Sequence, residues 1–122
     1  MAAELTKTVA LSFAKGNVAA HSFSEASKTV TVSGTDYIHT TQNVGTAEEA
    51  LGLGDLGSLG WAMFKNLDST NFVSIKTATG GIVALKLKAG ESCVFRFGSG
   101  VTAPFVIADT APVAIEYMIV ED

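Results

Sequence analysis

Residues 82–97 read Ile82-Val-Ala-Leu-Lys-Leu-Lys-Ala-Gly-Glu-Ser-Cys-Val-Phe-Arg-Phe97, and two runs of alternating side chains in this stretch decide the fold class. Alternation with a period of two is typical of a β-strand that buries one face and exposes the other to water. Ala89-Gly90 interrupts the pattern, so the sequence predicts a hairpin whose inward side chains belong to one face. The inward side chains are Val83, Leu85, Leu87, Cys93, Phe95 and Phe97, and the outward ones are Lys86, Lys88 and Arg96.

Short apolar runs of the same kind recur along the chain and are separated by Gly, Ser, Asp or Pro. Besides the 82–97 hairpin, the predicted strands cover 9–13, 29–32, 37–41, 61–65, 72–76, 103–108 and 113–120. No helical pattern of about 10 to 15 residues lies between them. Eight to ten short strands therefore predict an all-β protein, an antiparallel β-sandwich with jelly-roll-like topology.

One segment leaves helix and strand open. Thr46-Ala-Glu-Glu49 has the form of a helix-capping box, in which Thr46 accepts from the Glu49 amide and Glu49 reaches back. Nearby glycines limit such a helix to about one and a half turns, which is too short to be stable alone. We therefore prefer the extended conformation here.

The last predicted strand, 113–120, has two apolar faces of unequal strength. Its stronger face consists of Val113, Ile115, Tyr117 and Ile119, and its weaker face of Ala114, Glu116, Met118 and Val120. A strand that is partly apolar on both sides is expected to be central in its sheet or covered by another surface.

Length and composition limit the function classes. At 122 residues the chain is predicted to form one domain, 1–122, and its single cysteine provides no intramolecular disulfide. A formal net charge of −4 argues against nucleic acid as a partner. No apolar run approaches the roughly eighteen residues of a spanning helix, and Glu4 and Lys7 do not fit a signal peptide. Neither membrane insertion nor export is expected.

Catalytic residues are not predicted. His21 and His39 are the available bases, but the sequence shows no partner for either of them. Ser33-Gly34 and Ser99-Gly100 lack the upstream glycine of a nucleophile elbow. Cys93 occupies an inward strand position, where burial raises a thiol pKa. We therefore expect that the chain is not an enzyme.

Metal and cofactor sites are not predicted either. Asp55, Asp68, Asn71 and Asp109 lie in predicted turns, without the closely spaced acidic series of a calcium loop. Such side chains commonly bond turn amides, which is the role we expect for residues 68–71. The glycines at 80–81 and 98–100 lack a phosphate-loop lysine. The aromatic residues Trp61, Phe64, Phe72, Phe95, Phe97 and Phe105 are expected in the core, with exposure of one or two for sugar stacking left open.

Several short motifs carry a resemblance to a known family. They are Asn66-Leu-Asp-Ser-Thr-Asn71, Leu87-Lys-Ala-Gly-Glu91, the arginine-containing strand 94–97, Ala108-Asp-Thr-Ala111 and Glu116-Tyr-Met-Ile119. In these turn-and-strand motifs, over about half of its length, the chain resembles small all-β structural proteins of tailed-bacteriophage particles.

The resemblance implies a virion structural protein, foremost a head decoration (cement) subunit that stabilises the capsid. It implies synthesis in the host cytoplasm, a final location on the capsid surface and binding to the major capsid protein. The apolar share of 48% suits a homo-oligomer, for which a trimer at capsid three-fold positions is expected. Residues 1–8 are the candidate for an extended N-terminal arm that reaches a neighbouring subunit.

Two other function classes compete with this hypothesis. The first is a neck or tail structural component, or a receptor- or carbohydrate-binding component, with exposed aromatic residues and polar loops such as 68–71. The second is an enzyme on a jelly-roll scaffold. A cupin-type metal site needs a histidine cluster with a carboxylate, and two histidines make this the weakest hypothesis.

Overall fold

The computed structural model describes residues 4–122, in which all regular structure is β-strand and every paired strand is antiparallel. Residues 1–3 of the predicted arm 1–8 lie outside the described residues. The ten strands are β1 (Leu5–Lys15), β2 (Val18–Val30), β3 (Tyr37–Val44), β4 (Glu49–Ala50), β5 (Leu59–Asn66), β6 (Val73–Lys76), β7 (Val83–Leu87), β8 (Ser92–Arg96), β9 (Phe105–Ala108) and β10 (Val113–Glu121).

Contacts divide the chain into two compact units, the first ending at Ser33 and the second covering Gly34–Asp122. In the first unit β1 and β2 form a two-stranded ribbon, joined at Gly16, whose φ of 53° favours glycine. β2 is far longer than the predicted strand 29–32. The Ala, Ser and His side chains of residues 19–24 give little apolar alternation, and pairing with β1 forms the strand instead.

The second unit is a jelly roll of eight strands in two sheets, ordered β3-β10-β5-β8 and β4-β9-β6-β7. Its pairs β3·β10, β4·β9, β5·β8 and β6·β7 are nested in sequence, as in one long hairpin that has been folded over. Six of the seven connections change sheet, which wraps this hairpin into two layers. The predicted all-β, jelly-roll-like sandwich is therefore confirmed.

The core lies between these two sheets and contains side chains from both. Val113, Ile115, Tyr117 and Ile119 of β10 are at most 1% exposed, whereas the alternate side chains are partly exposed. β10 pairs with β3 on one side and β5 on the other, so it is central, as its two apolar faces predicted.

The predicted hairpin over 82–97 is wrong in its pairing. β7 pairs with β6, and β8 pairs with β5 in the other sheet, so the Ala89-Gly90 turn carries the chain between layers. Leu85 and Leu87 nevertheless pack in or against the core, as do Cys93, Phe95 and Phe97. Val83 differs, because it lies at the exposed start of an edge strand.

The preference for an extended chain after Thr46 is confirmed, because residues 49–50 form β4. The Glu49 carboxylate accepts from the Gly45 amide at 2.7 Å and from the Gln42 side-chain amide at 2.9 Å. These bonds fix the chain as it enters the second sheet.

Candidate interaction surfaces

One side of the ribbon carries bulky apolar side chains that the first unit does not bury. Register places Leu11 opposite Phe23 and Phe13 opposite His21, and directly paired residues project to the same side. Leu11 is 75% and Phe23 80% exposed. We call this surface the ribbon face, formed by Val9, Leu11, Phe13 and Phe23. The candidate base His21 lies on this side of the ribbon, directly opposite Phe13.

The other side of the ribbon is almost flat. Its paired side chains are Ala10 with Ser24 and Ser12 with Ser22. A two-stranded ribbon has no second layer of its own, and isolated hairpins are at best marginally stable in water. The exposed ribbon face therefore has the character of a surface that another layer covers.

A charged pair borders the ribbon face near its base. The Lys7 ammonium lies 2.6 Å from the Glu25 carboxylate, across the two strands. Hydrogen bonding and charge attraction from Lys7 lower the pKa of Glu25. This pair supports the register at the bulge that separates the ribbon's base from its apolar part.

A second apolar surface covers the outer face of the sheet β3-β10-β5-β8. Cross-strand pairs place Met118 between His39 and Met63, and Met63 beside Val94. Met63 is 47% and Met118 37% exposed. We call this surface the sheet patch, formed by Tyr37, Trp61, Met63, Val94, Met118 and Val120.

A groove of about 300 Å³ crosses the sheet patch and has a polar border. The His39 imidazole lies 2.8 Å from the Glu116 carboxylate, and Lys65 is the register partner of Glu116. The sequence showed no partner for His39, but the structure places Glu116 beside it. Local sequence patterns could not reveal this partner, because Glu116 lies 77 residues away in sequence. The groove combines an apolar floor at Met63 and Met118 with charged edges.

A smaller cleft of about 200 Å³ opens between the sheets at the edge formed by β7 and β8. Its apolar lining includes Leu85, Phe95, Phe97 and Val101. Ligand pockets usually have volumes of about 300 to 1,000 Å³, so this cleft is smaller than the usual range. Cys93 packs against the neighbouring core, and burial raises its thiol pKa, as its inward position predicted.

The polar turn at 66–71 is occupied by its own hydrogen bonds. The Asp68 carboxylate accepts from the amides of Thr70 at 3.0 Å and Asn71 at 2.7 Å, which lowers the Asp68 pKa. Fully buried Asn66 donates to the carbonyls of Asn71 and Leu87. The expected turn-bonding role is thus confirmed for Asp68, whereas Asn71 uses its side chain to accept from the Thr110 hydroxyl.

Among residues 4–122, no three His, Cys, Asp or Glu side chains are placed to hold a metal ion. Asp55 is exposed in its turn and Asp109 is half-buried. Over the same described range, the structure contains no helix with the length and hydropathy that crossing a bilayer requires.

The aromatic residues divide between the core and the outer faces. Phe64 and Phe97 are buried and Phe95 packs against them, as expected for core residues. Trp61 and Phe105 instead fall on outer sheet faces by their register. Phe72 lies beneath the Lys86 ammonium, 4.0 Å from the ring centre. Sequence alternation alone could not separate the core group from the outer group. It shows which residues of a strand share a face, but strand pairing decides which of the two faces is buried.

Comparison with known proteins adds no relative to this description. No protein-family model, curated protein or solved structure matches the chain.

Proposed function

We propose that this chain is a structural subunit of a tailed-phage particle, specifically a head decoration subunit that binds other copies of itself and the major capsid protein. The observation that carries the proposal is the joining of a jelly roll to a ribbon with exposed bulky apolar side chains. Jelly rolls occur in capsid proteins, lectins and cupins, so the fold alone does not choose among them.

The ribbon favours assembly over a free monomer. Soluble monomers rarely leave contiguous apolar surface in water unless it serves an interaction. This chain has two such surfaces, the ribbon face and the sheet patch. A subunit held permanently in a particle would bury both, and its low share of charged residues, 16%, suits large apolar contacts.

The loop chemistry favours the same choice over sugar recognition. A carbohydrate site needs polar side chains that are free to meet hydroxyl groups, and residues 68–71 were the candidate loop. There the Asp68 carboxylate accepts from amides of its own turn, and the Asn71 side-chain oxygen accepts from the Thr110 hydroxyl, so these acceptor groups already have partners.

Particle imaging tests the proposed function directly. Purified particles from the phage whose genome encodes this chain would be labelled with an antibody against it and compared with particles made without the gene. We expect label on the head of the first particles only, and faster loss of packaged DNA on heating the second. Absence of the chain from purified particles would overturn the proposal, and label on the neck or tail would keep a virion role but remove the head assignment.

A further inference from the structure

We propose that the ribbon face of one copy packs onto the sheet patch of a second copy. The inference deepens the proposed self-association, but it does not depend on where in a particle, or whether in a particle, the protein is found. It assigns a partner to each exposed apolar surface through one kind of contact.

The two surfaces match in chemistry and in scale. The ribbon face presents four bulky apolar side chains from two paired strands. The sheet patch presents a four-stranded surface with a groove of about 300 Å³ between methionine side chains, which is large enough to receive an aromatic ring such as Phe23. Methionine adapts its shape to such a ring with favourable sulfur contacts. Sheets pack face to face at about 10 Å, so the ribbon would add a third layer to the sandwich.

Charge favours this arrangement over contacts between like units. The first unit carries Lys7, Lys15 and Lys28 against Glu4 and Glu25, which gives a side-chain charge of +1. Since the whole chain carries −4, Gly34–Asp122 carries −5. Contact between two ribbons, or between two jelly rolls, brings charges of the same sign together. Contact of a ribbon with a jelly roll brings opposite signs together and is favoured on approach.

Stoichiometry points to a second copy of this chain as the partner. Each chain has one ribbon face and one sheet patch, so copies can pair every surface without a third component. Such a contact is head-to-tail, because different surfaces meet, and a head-to-tail contact closes into a ring when the rotation allows. The expected trimer is one ring of this type.

Two complementary variants of the full-length chain test the contact in solution. The ribbon variant carries Leu11→Arg and Phe23→Arg, and the patch variant carries Met63→Arg and Met118→Arg. In sedimentation velocity we expect the unsubstituted protein to be an oligomer and each variant alone to be a monomer. An equimolar mixture should form a heterodimer, because one intact ribbon can meet one intact patch while the remaining two surfaces are blocked.

Matched controls separate the contact from general effects of added charge. Ser24→Arg places the same charge on the flat side of the ribbon, and Asn43→Arg places it at the end of β3 away from the patch. Both should remain oligomeric. Circular dichroism and thermal unfolding would check that every variant is folded. If an arginine variant unfolds, Leu11→Ser with Phe23→Ser, or Met63→Ser with Met118→Ser, replaces it in the same mixing experiment.

The inference would be overturned by a mixture of folded variants that stays monomeric, by a ribbon variant that still self-associates fully, or by an unsubstituted chain that is monomeric at every concentration. Self-association that survives in the patch variant but not in the ribbon variant would indicate contact between ribbons and would overturn it as well. Since no particle is used, failure of the virion assignment would leave these results unchanged.

Discussion

The carboxylate of Glu48 joins a strand to the turn that follows it. It accepts from the Lys76 ammonium at 2.8 Å, from the Thr79 hydroxyl at 2.8 Å and from the Gly80 amide at 2.9 Å. These bonds favour the charged form and lower the Glu48 pKa from 4.5 to about 2. Because the pKa is lower in the folded state, the stabilisation is fully present above pH 4.5 and disappears as pH falls towards 2.

The substitution Glu48→Gln tests this dependence. We expect a lower free energy of unfolding than in the unsubstituted chain at pH 7, and a smaller difference at pH 2.5, where the carboxyl is protonated in the unfolded state and the lowered pKa therefore stabilises the fold less. Urea titrations at the two pH values measure both differences. Ile82→Ser, which changes an exposed side chain without a carboxylate, serves as control. A difference for Glu48→Gln that is the same at both pH values would contradict the assigned role.

Asn66 is a buried polar residue whose hydrogen bonds are all made to backbone groups. Its amide donates to the carbonyls of Asn71 and Leu87, each at 3.0 Å, and its oxygen accepts from the Asp68 amide at 2.8 Å. Asn66→Ala removes these three bonds to backbone groups, so we expect a loss of about 3 kcal/mol in denaturant titration. Asn43→Ala, at an exposed position, should cost less than about 0.5 kcal/mol. Equal effects would mean that the Asn66 bonds contribute little.

The buried face of a strand was predictable from the sequence where one face is buried and the other is exposed. In β10, alternation identified the buried face and the central position, because each parity meets a different environment. The pairing of β7 and β8 was not predictable, since Ala89-Gly90 turns the chain equally well within a sheet or between sheets. Three of the four side chains of the ribbon face, Val9, Leu11 and Phe13, were visible in the alternation of 9–13. Phe23 was not, because only register with β1 brings it beside Leu11.

The pairing of β5 with β8 builds an aromatic cluster at the centre of the core. The Phe64 ring is fully buried and stacks on Phe95 at 5.6 Å and on Tyr117 at 5.3 Å between ring centres. Phe64→Ala should cost about 3 to 5 kcal/mol, because the cavity it leaves is enclosed. Phe95→Ala should cost less, since Phe95 lines a cleft that is already open to solvent. Denaturant titration of both variants measures the order, and a larger loss for Phe95→Ala would mean that the cleft is closed in solution.

The molecule as a whole combines a unit that buries its own core with one that does not. Among the side chains that the structure describes, those of the core belong to Gly34–Asp122, whereas the side chains of the ribbon face are exposed. Stability and assembly should therefore be separable along the chain. Each strand of the jelly roll pairs only with strands of the same unit. The ribbon, in contrast, needs a covering layer.

Removal of residues 1–33 tests that separation. We expect the remaining chain, Gly34–Asp122, to fold with the β-sheet spectrum of the jelly roll and to sediment as a monomer. Thermal unfolding gives a second measure, because an oligomer that dissociates on unfolding has a Tm that rises with protein concentration. The full chain should show that rise over a hundredfold range of concentration, and the shortened chain should not. If the jelly rolls assemble without the ribbon, Tm will rise with concentration in both the full and the shortened chain, which contradicts the prediction. If the shortened chain does not fold, the two units form one cooperative structure.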